Sequence, residues 1–198
     1  RRRSNRHYAA DTPISFEALS TMLPRSMQGT AMDCLVPGAP HLSTLYLIVN
    51  NVAGLTPGAY AVHPQEQALE LLRPGDMRAA AARLACDQDY AADAHVNAYT
   101  LTDLAPVLEH FGNRGYRLAQ LEAALVGAKL QLAAHALGLG VVGSTSYDDE
   151  VTAYFSPHAA DKSFMFVAVF GARRRPSTSE VGEQSKFLQG QAQANAQT

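Results

Sequence analysis

Residues 114–149, RGYRLAQLEAALVGAKLQLAAHALGLGVVGSTSYDD, decide the fold. Two apolar stripes cross them at helical spacing. One runs through Leu118, Leu121, Leu125, Ala128 and Leu132, the other through Ala123, Val126, Leu130, Ala133 and Leu137. Apolar residues on both sides predict a buried helix from Tyr116 to Leu137, roughly 33 Å long at ~1.5 Å per residue. A helix of that length crosses a small domain, so it is expected to be central. Gly138 stands where helices commonly end in the left-handed conformation. GLGVVGS then reads as a Gly-bounded apolar strand leading to Tyr147, Asp148 and Asp149.

Working outward, Asp148, Asp149 and Glu150 precede a short apolar helix as caps and dipole partners, and Ser156-Pro157 ends it. KSFMFVAVFG is an almost continuous apolar strand, as expected inside a sheet. Upstream, PISFEALSTML (13–23) predicts an amphipathic helix capped by Ser15, with Ile14, Phe16, Leu19 and Leu23 inward. TLYLIVN reads as a buried strand, and GLTPGAYAV with ALELL as a hairpin. MRAAAARLA is a helix capped by Asp76, AHVNAYT a strand, and LTDLAPVLEHF a helix interrupted near Pro106. The order predicts an α+β fold, a mixed and mainly antiparallel sheet flanked by helices, rather than a doubly wound parallel one.

At 198 residues, 47% hydrophobic and 17% charged, the chain has enough apolar residue for one core. A net charge of −2 gives no bulk attraction for nucleic acid, and no apolar run reaches transmembrane length, so neither nucleic acid nor membrane is an expected partner. Cys34 and Cys86 lack CxxC spacing and read as buried or idle thiols, which fits a reducing, cytoplasmic setting. No initiator Met or signal-peptide pattern precedes Arg1, so the chain is expected to begin inside a longer one. There is no GxGxxG after a strand, no GxxxxGK[ST], no GxSxG elbow, and no HxH or HExxH spacing; no metal site is expected.

Two basic clusters remain. RRRSNR (1–6) and GARRR (171–175) each offer guanidinium forks suited to phosphate oxygens. Taken by themselves, both also read as solvated charge runs.

The pieces RGYR, LAQLEA, GLG and YDDEVTAYFSPHAADKSFMFVAVFG, preceded by RRRSNR and NNVAGLTPGAYAVHP, resemble in their order and spacing the nitroreductase superfamily, in its branch similar to the SagB-type dehydrogenases. The resemblance runs from Arg1 to about Arg175 and implies a flavin domain over 1–175, followed by a flexible or partner-wrapping tail at 176–198. It implies FMN as cofactor, held at its phosphate by Arg2, Arg3, Ser4 and Arg6, which match R-x-S-x-R/K, and by Arg173 and Arg175. Gly38 and His41 match the loop that lies against the flavin in SagB-like proteins, where Val36 replaces a serine. The turn Gly143, Ser144, Thr145 and Ser146 would lie near the flavin N5. Tyr116 and His41 are the candidate substrate-side groups, with Arg117 beside Tyr116.

The central helix carries Ala124, Leu125, Ala128 and Lys129 where many SagB-like oxidases carry G-H-x-x-Q-N, so polar contacts from that helix to a peptide or flavin are not expected. The implied function is an FMN-dependent two-electron oxidoreductase acting on a small-molecule or peptide-borne substrate, in a homodimer or tandem pseudo-dimer. The alternative is a flavin-free domain of the same fold that serves as a binding or dimer-stabilising module.

Overall fold

The computed structural model describes residues 3–29, 32–35 and 41–174. Gly38, Arg2, Arg175 and the 176–198 tail, named above, lie outside the described residues. Six strands form one sheet: β1 (Ser43–Val49), β2 (Gly58–His63), β3 (Ala68–Pro74), β4 (Val96–Asp103), β5 (Gly140–Ser144) and β6 (Lys162–Gly171). Their order is β3-β2-β1-β4-β6-β5, and every neighbouring pair is antiparallel. Among the described residues, a parallel pairing survives only as the isolated bridge between Ile14 and Val52.

Six helices flank it: α1 (Phe16–Ser26), α2 (Arg78–Leu84), α3 (Tyr90–Asp93), α4 (Leu104–Phe111), α5 (Arg114–Ala136) and α6 (Asp148–Phe155). Alternation along the strands sorts the core into two layers. Leu45, Leu47, Val49, Ala98 and Phe170 pack with Leu19 and Leu23 of α1 and with Val126 and Leu130 of α5. Tyr46, Ile48, Tyr99, Val167 and Val169 pack with Ala81 and Leu84 of α2 and with Val151 and Phe155 of α6. Both faces are covered, which is why β1 reads as a continuous apolar run.

Helix α5 ends as expected, with Gly138 at φ +75°. Its burial differs from the two-sided expectation. Ala119, Glu122, Ala123, Val126, Gly127, Leu130 and Ala134 are buried, whereas Leu121 is 53% and Leu132 65% exposed. The sheet, α1 and α4 cover the face that carries Ala123, Val126 and Leu130, and the stripe through Leu121 and Leu132 faces outward from the single chain.

Three smaller expectations are corrected. Phe16 is 47% exposed, because the buried face of α1 begins at Leu19 and Phe16, in its first turn, overhangs a cleft beside Val62 and Leu69. Pro106 does not interrupt α4: it lies in the first turn after the Asp103 cap, where a backbone N–H has no intrahelical partner to lose. Cys34 is exposed rather than buried.

Candidate functional site

The edge strand β5 is where the two basic ends of the chain meet. The Asn5 N–H donates to Val141 O at 3.0 Å, the Ala9 N–H to Ala172 O at 3.0 Å and the Arg174 N–H to His7 O at 3.0 Å, while Tyr8 bridges Arg173. The Tyr8 hydroxyl fixes this seam from below, 2.8 Å from Asn5 O and 2.9 Å from Val169 O, and burial raises its pKa. Arg3, Ser4 and Arg6 are therefore held, exposed, on the backbone segment that pairs with β5 and with the exit of β6 at Arg173. The Arg173 guanidinium is itself positioned: Nε donates to Leu139 O at 3.0 Å and Nη2 to His135 Nδ1 at 2.9 Å.

A tyrosine connects this basic seam to the turn after β5. The Arg6 guanidinium lies 5.7 Å from the centroid of the Tyr90 ring, and the Tyr90 hydroxyl is 2.6 Å from Ser144 Oγ. At Gly143 a Cβ would come within 2.9 Å of Phe166 Cζ, so the strand end admits only glycine without rearrangement. Thr145 Oγ1 is 3.3 Å from Cys86 Sγ. Ser146 Oγ is buried with no hydrogen-bond partner among the described residues, which leaves one polar atom in the turn unsatisfied. Beyond it, Tyr147 donates to Asp87 Oδ2 at 3.1 Å and Arg83 stacks on its ring at 4.4 Å, which ties the turn to α2.

His41 does not face this seam. Its Nδ1 is 2.5 Å from Glu122 Oε1 of α5, and Nε2 bonds to Met27 O. Both ring nitrogens are engaged, so His41 latches its loop to the central helix and has no ring nitrogen left to offer a substrate. The polar contacts of α5 shown here are within the chain: Glu122 holds His41, and Lys129 donates to Gln28 O.

The Glu122 hydrogen bond is the main cause that raises the His41 pKa, against burial, which lowers it. A raised folded pKa means the contribution is complete below the unfolded value near ~6.5 and is lost as pH rises through the folded value. A charged hydrogen bond contributes about 1.5–3 kcal/mol, which solvent screening of this partly exposed ring reduces to about 1 kcal/mol. Urea midpoints measured across that window should fall as pH rises in the wild type and fall less in Glu122→Gln. Equal pH slopes would refute the latch.

Tyr116, 48% exposed at the start of α5, accepts a hydrogen bond from Gln120 Nε2 at 3.2 Å. It borders a cleft of about 450 Å³ with Leu104, Asp148, Asp149, Lys162 and Phe164. Asp148 is two residues beyond Ser146, so the cleft opens directly after the serine turn. On its floor Lys162 donates to Thr44 Oγ1 at 3.2 Å and Tyr46 Oη at 2.9 Å, and burial lowers its pKa. Tyr90 and Lys162 escaped the sequence reading because their partners are distant in the chain. Glu122 did carry a signal: it lies three residues after Ala119 and four before Val126, on the buried stripe.

A model of the nitroreductase family matches residues 1–171. A Methanocaldococcus jannaschii protein provisionally named a nitroreductase is 27% identical over 156 residues, 76% of this chain and 78% of that protein. Among solved structures, a provisionally named nitroreductase from Anabaena variabilis superposes with a TM-score of 0.78 at 27% identity, over 88% of this chain and 37% of that one. The chain thus spans little more than a third of the Anabaena protein. A chain of the Escherichia coli microcin synthetase complex, solved with a truncated microcin precursor bound, shares the fold with a TM-score of 0.70 at 17% identity, over 85% of this chain and 68% of that one. No helix among the described residues is long and apolar enough to cross a membrane.

Proposed function

The chain belongs to the nitroreductase family, whose members are oxidoreductases, and from that premise we propose that it is an FMN-dependent enzyme of the SagB-like dehydrogenase type, carrying out two-electron chemistry on a small or peptide-borne substrate. One observation carries the reading: chain ends more than 160 residues apart converge at β5, bringing Arg3, Ser4 and Arg6 to the exit of Arg173. Guanidinium groups carried on adjoining backbone segments, with a serine hydroxyl among them, suit a phosphate, and the orphaned Ser146 Oγ and the small Gly143 suit a ring that approaches the turn closely. The residues present therefore fit the group.

Arg3, Ser4, Arg6 and Arg173 would hold the phosphate, and the turn 143–146 would face the ring. When bound, FMN supplies hydride and single-electron chemistry at its ring, for which the protein provides position and electrostatics. Tyr90 holds the two parts in register by meeting both Arg6 and Ser144. Tyr116 borders the cleft beyond the turn, where its hydroxyl can orient substrate or give it a proton. His41, closed against Glu122 and Met27, holds the loop ahead of β1 in place. Purified protein reconstituted with FMN, then reduced, should be reoxidised by a quinone, a nitroaromatic or oxygen. Failure with all three acceptors would remove the redox reading.

The exposed stripe of α5 supports a homodimer, or a pseudo-dimer within a longer chain. Leu121 and Leu132 are each more than half exposed on one side of the helix, an apolar face of the kind that a partner covers. Light scattering at micromolar concentration should give a dimer mass, and Leu121→Asp/Leu132→Asp a monomer that keeps its circular dichroism spectrum. A monomeric wild type with flavin bound would contradict the pairing.

A further inference from the structure

On the side of the molecule that carries the β2–β3 hairpin, three potential metal ligands meet that no stretch of sequence brings together. His63 ends β2, Glu70 lies in β3, and His158 follows α6. The hairpin register pairs His63 with Ala68 and Ala61 with Glu70, so His63 and Glu70 are diagonal neighbours on one face of the ribbon. His63 Nε2 is 2.8 Å and His158 Nε2 3.6 Å from the same oxygen, Glu70 Oε2, and one ligand atom from each residue lies within 4.8 Å of the others. The side chains are 38%, 50% and 29% exposed, open enough for an ion to enter.

We propose that His63, Glu70 and His158 form a binding site for a divalent transition-metal ion, Zn²⁺ by ligand chemistry, which clamps the β2–β3 hairpin to the segment after α6. Two imidazoles and one carboxylate are a borderline-soft donor set that Zn²⁺ takes at about 2.0–2.2 Å. In a tetrahedral site, ligand atoms lie about 3.4 Å apart. The observed separations of 2.8 and 3.6 Å bracket that spacing, so the three side chains close on an ion through small torsional shifts.

The outer partners are already set. His158 Nδ1 is 2.9 Å from the Tyr46 hydroxyl, which also receives Lys162 Nζ at 2.9 Å and is 3.2 Å from His158 O. Lys162 and His158 Nδ1–H can both donate to Tyr46 Oη while Tyr46 donates to His158 O. His158 is then the tautomer whose Nε2 lone pair faces Glu70 and His63, the arrangement that orients a metal-bound histidine. Arg73, the nearest cation in the adjoining 430 Å³ cleft, is held over the Tyr154 ring at 4.8 Å while donating to Tyr154 O. That cleft leaves room for water on the remaining coordination position.

Isothermal titration of the full chain with ZnCl₂ should show one ion per chain at micromolar Kd. His63→Ala, Glu70→Gln and His158→Ala should each weaken it at least about 100-fold, beyond the ~10–100-fold typical of an outer partner, and Tyr46→Phe about 10-fold. His110→Ala, at an exposed histidine elsewhere, should bind as the wild type does. Free Zn²⁺ at a hundred times Kd should raise Tm by about 5–10 °C. His63 and Glu70 are surface positions, so those variants should keep the wild-type melting curve without metal. Absence of stoichiometric binding, or binding that persists unchanged in His63→Ala and His158→Ala, would overturn the site. Loss in the ligand variants with no change in Tyr46→Phe would overturn the outer arrangement. These outcomes are read without flavin and stand apart from the redox proposal.

Discussion

Arg2→Ala/Arg6→Ala is expected to bind FMN about 10²–10⁴-fold more weakly than the wild type, read as the concentration at which flavin fluorescence is quenched. Each charged hydrogen bond to a phosphate contributes about 1.5–3 kcal/mol, so the loss of two sums to about 3–6 kcal/mol. Arg6 has a second role that sharpens the prediction. Its guanidinium lies over Tyr90, whose hydroxyl meets Ser144, so its removal loosens the serine turn as well as the phosphate end. The fold should not suffer, because the seam at Asn5, Ala9 and Arg174 is held by backbone bonds and Arg6 is exposed. Affinity equal to the wild type would show that the arginines are a solvated surface. A wild-type protein that stays colourless after reconstitution with excess FMN would leave the flavin-free binding domain as the better account of the fold.

Much of the architecture was legible because it depends on local periodicity. The central helix, its glycine stop at Gly138, the hairpin after Pro57-Gly58 and the apolar β6 are each written in a contiguous stretch. What the sequence misjudged were matters of geometry beyond the stretch. The stripe of α5 through Leu121 and Leu132 read as buried, since periodicity records which side chains are apolar and not how many faces one sheet can cover. His41 was a substrate-side candidate through the resemblance, whereas a lone histidine is more often a hydrogen-bonded structural group, the role it has here. Its partner Glu122 is 81 residues away. The same distance hid Tyr90, which sits in a four-residue helix with no pattern of its own and matters only through Arg6 and Ser144. The His63, Glu70 and His158 cluster was invisible to spacing rules, since its ligands are brought together by a hairpin register and by the segment after α6. The convergence of the two arginine ends was anticipated only through the resemblance. No property of residues 1–6 alone says that they lie along β5.

Tyr116→Phe is expected to lower turnover about 10²–10⁴-fold if the hydroxyl moves a proton, the range typical of general acid–base groups. The substitution removes one oxygen from a side chain that is half exposed and whose hydroxyl meets Gln120 one turn along the same helix, so stability, flavin spectrum and oligomeric state should not change. Its position supports the choice. Tyr116 borders the cleft that opens two residues after Ser146, and the other titratable groups there are placed differently. Asp148 has its pKa raised by burial and then by Asp149, but it belongs to the first turn of α6. Lys162 points inward to Thr44 and Tyr46. A proton donor with access to a bound substrate is therefore better sought in Tyr116 than in either. If Lys162 were the donor instead, Lys162→Met would lower turnover by a comparable factor while Tyr116→Phe kept full activity. Tyr116 would then be a helix anchor, paired along α5 with Gln120.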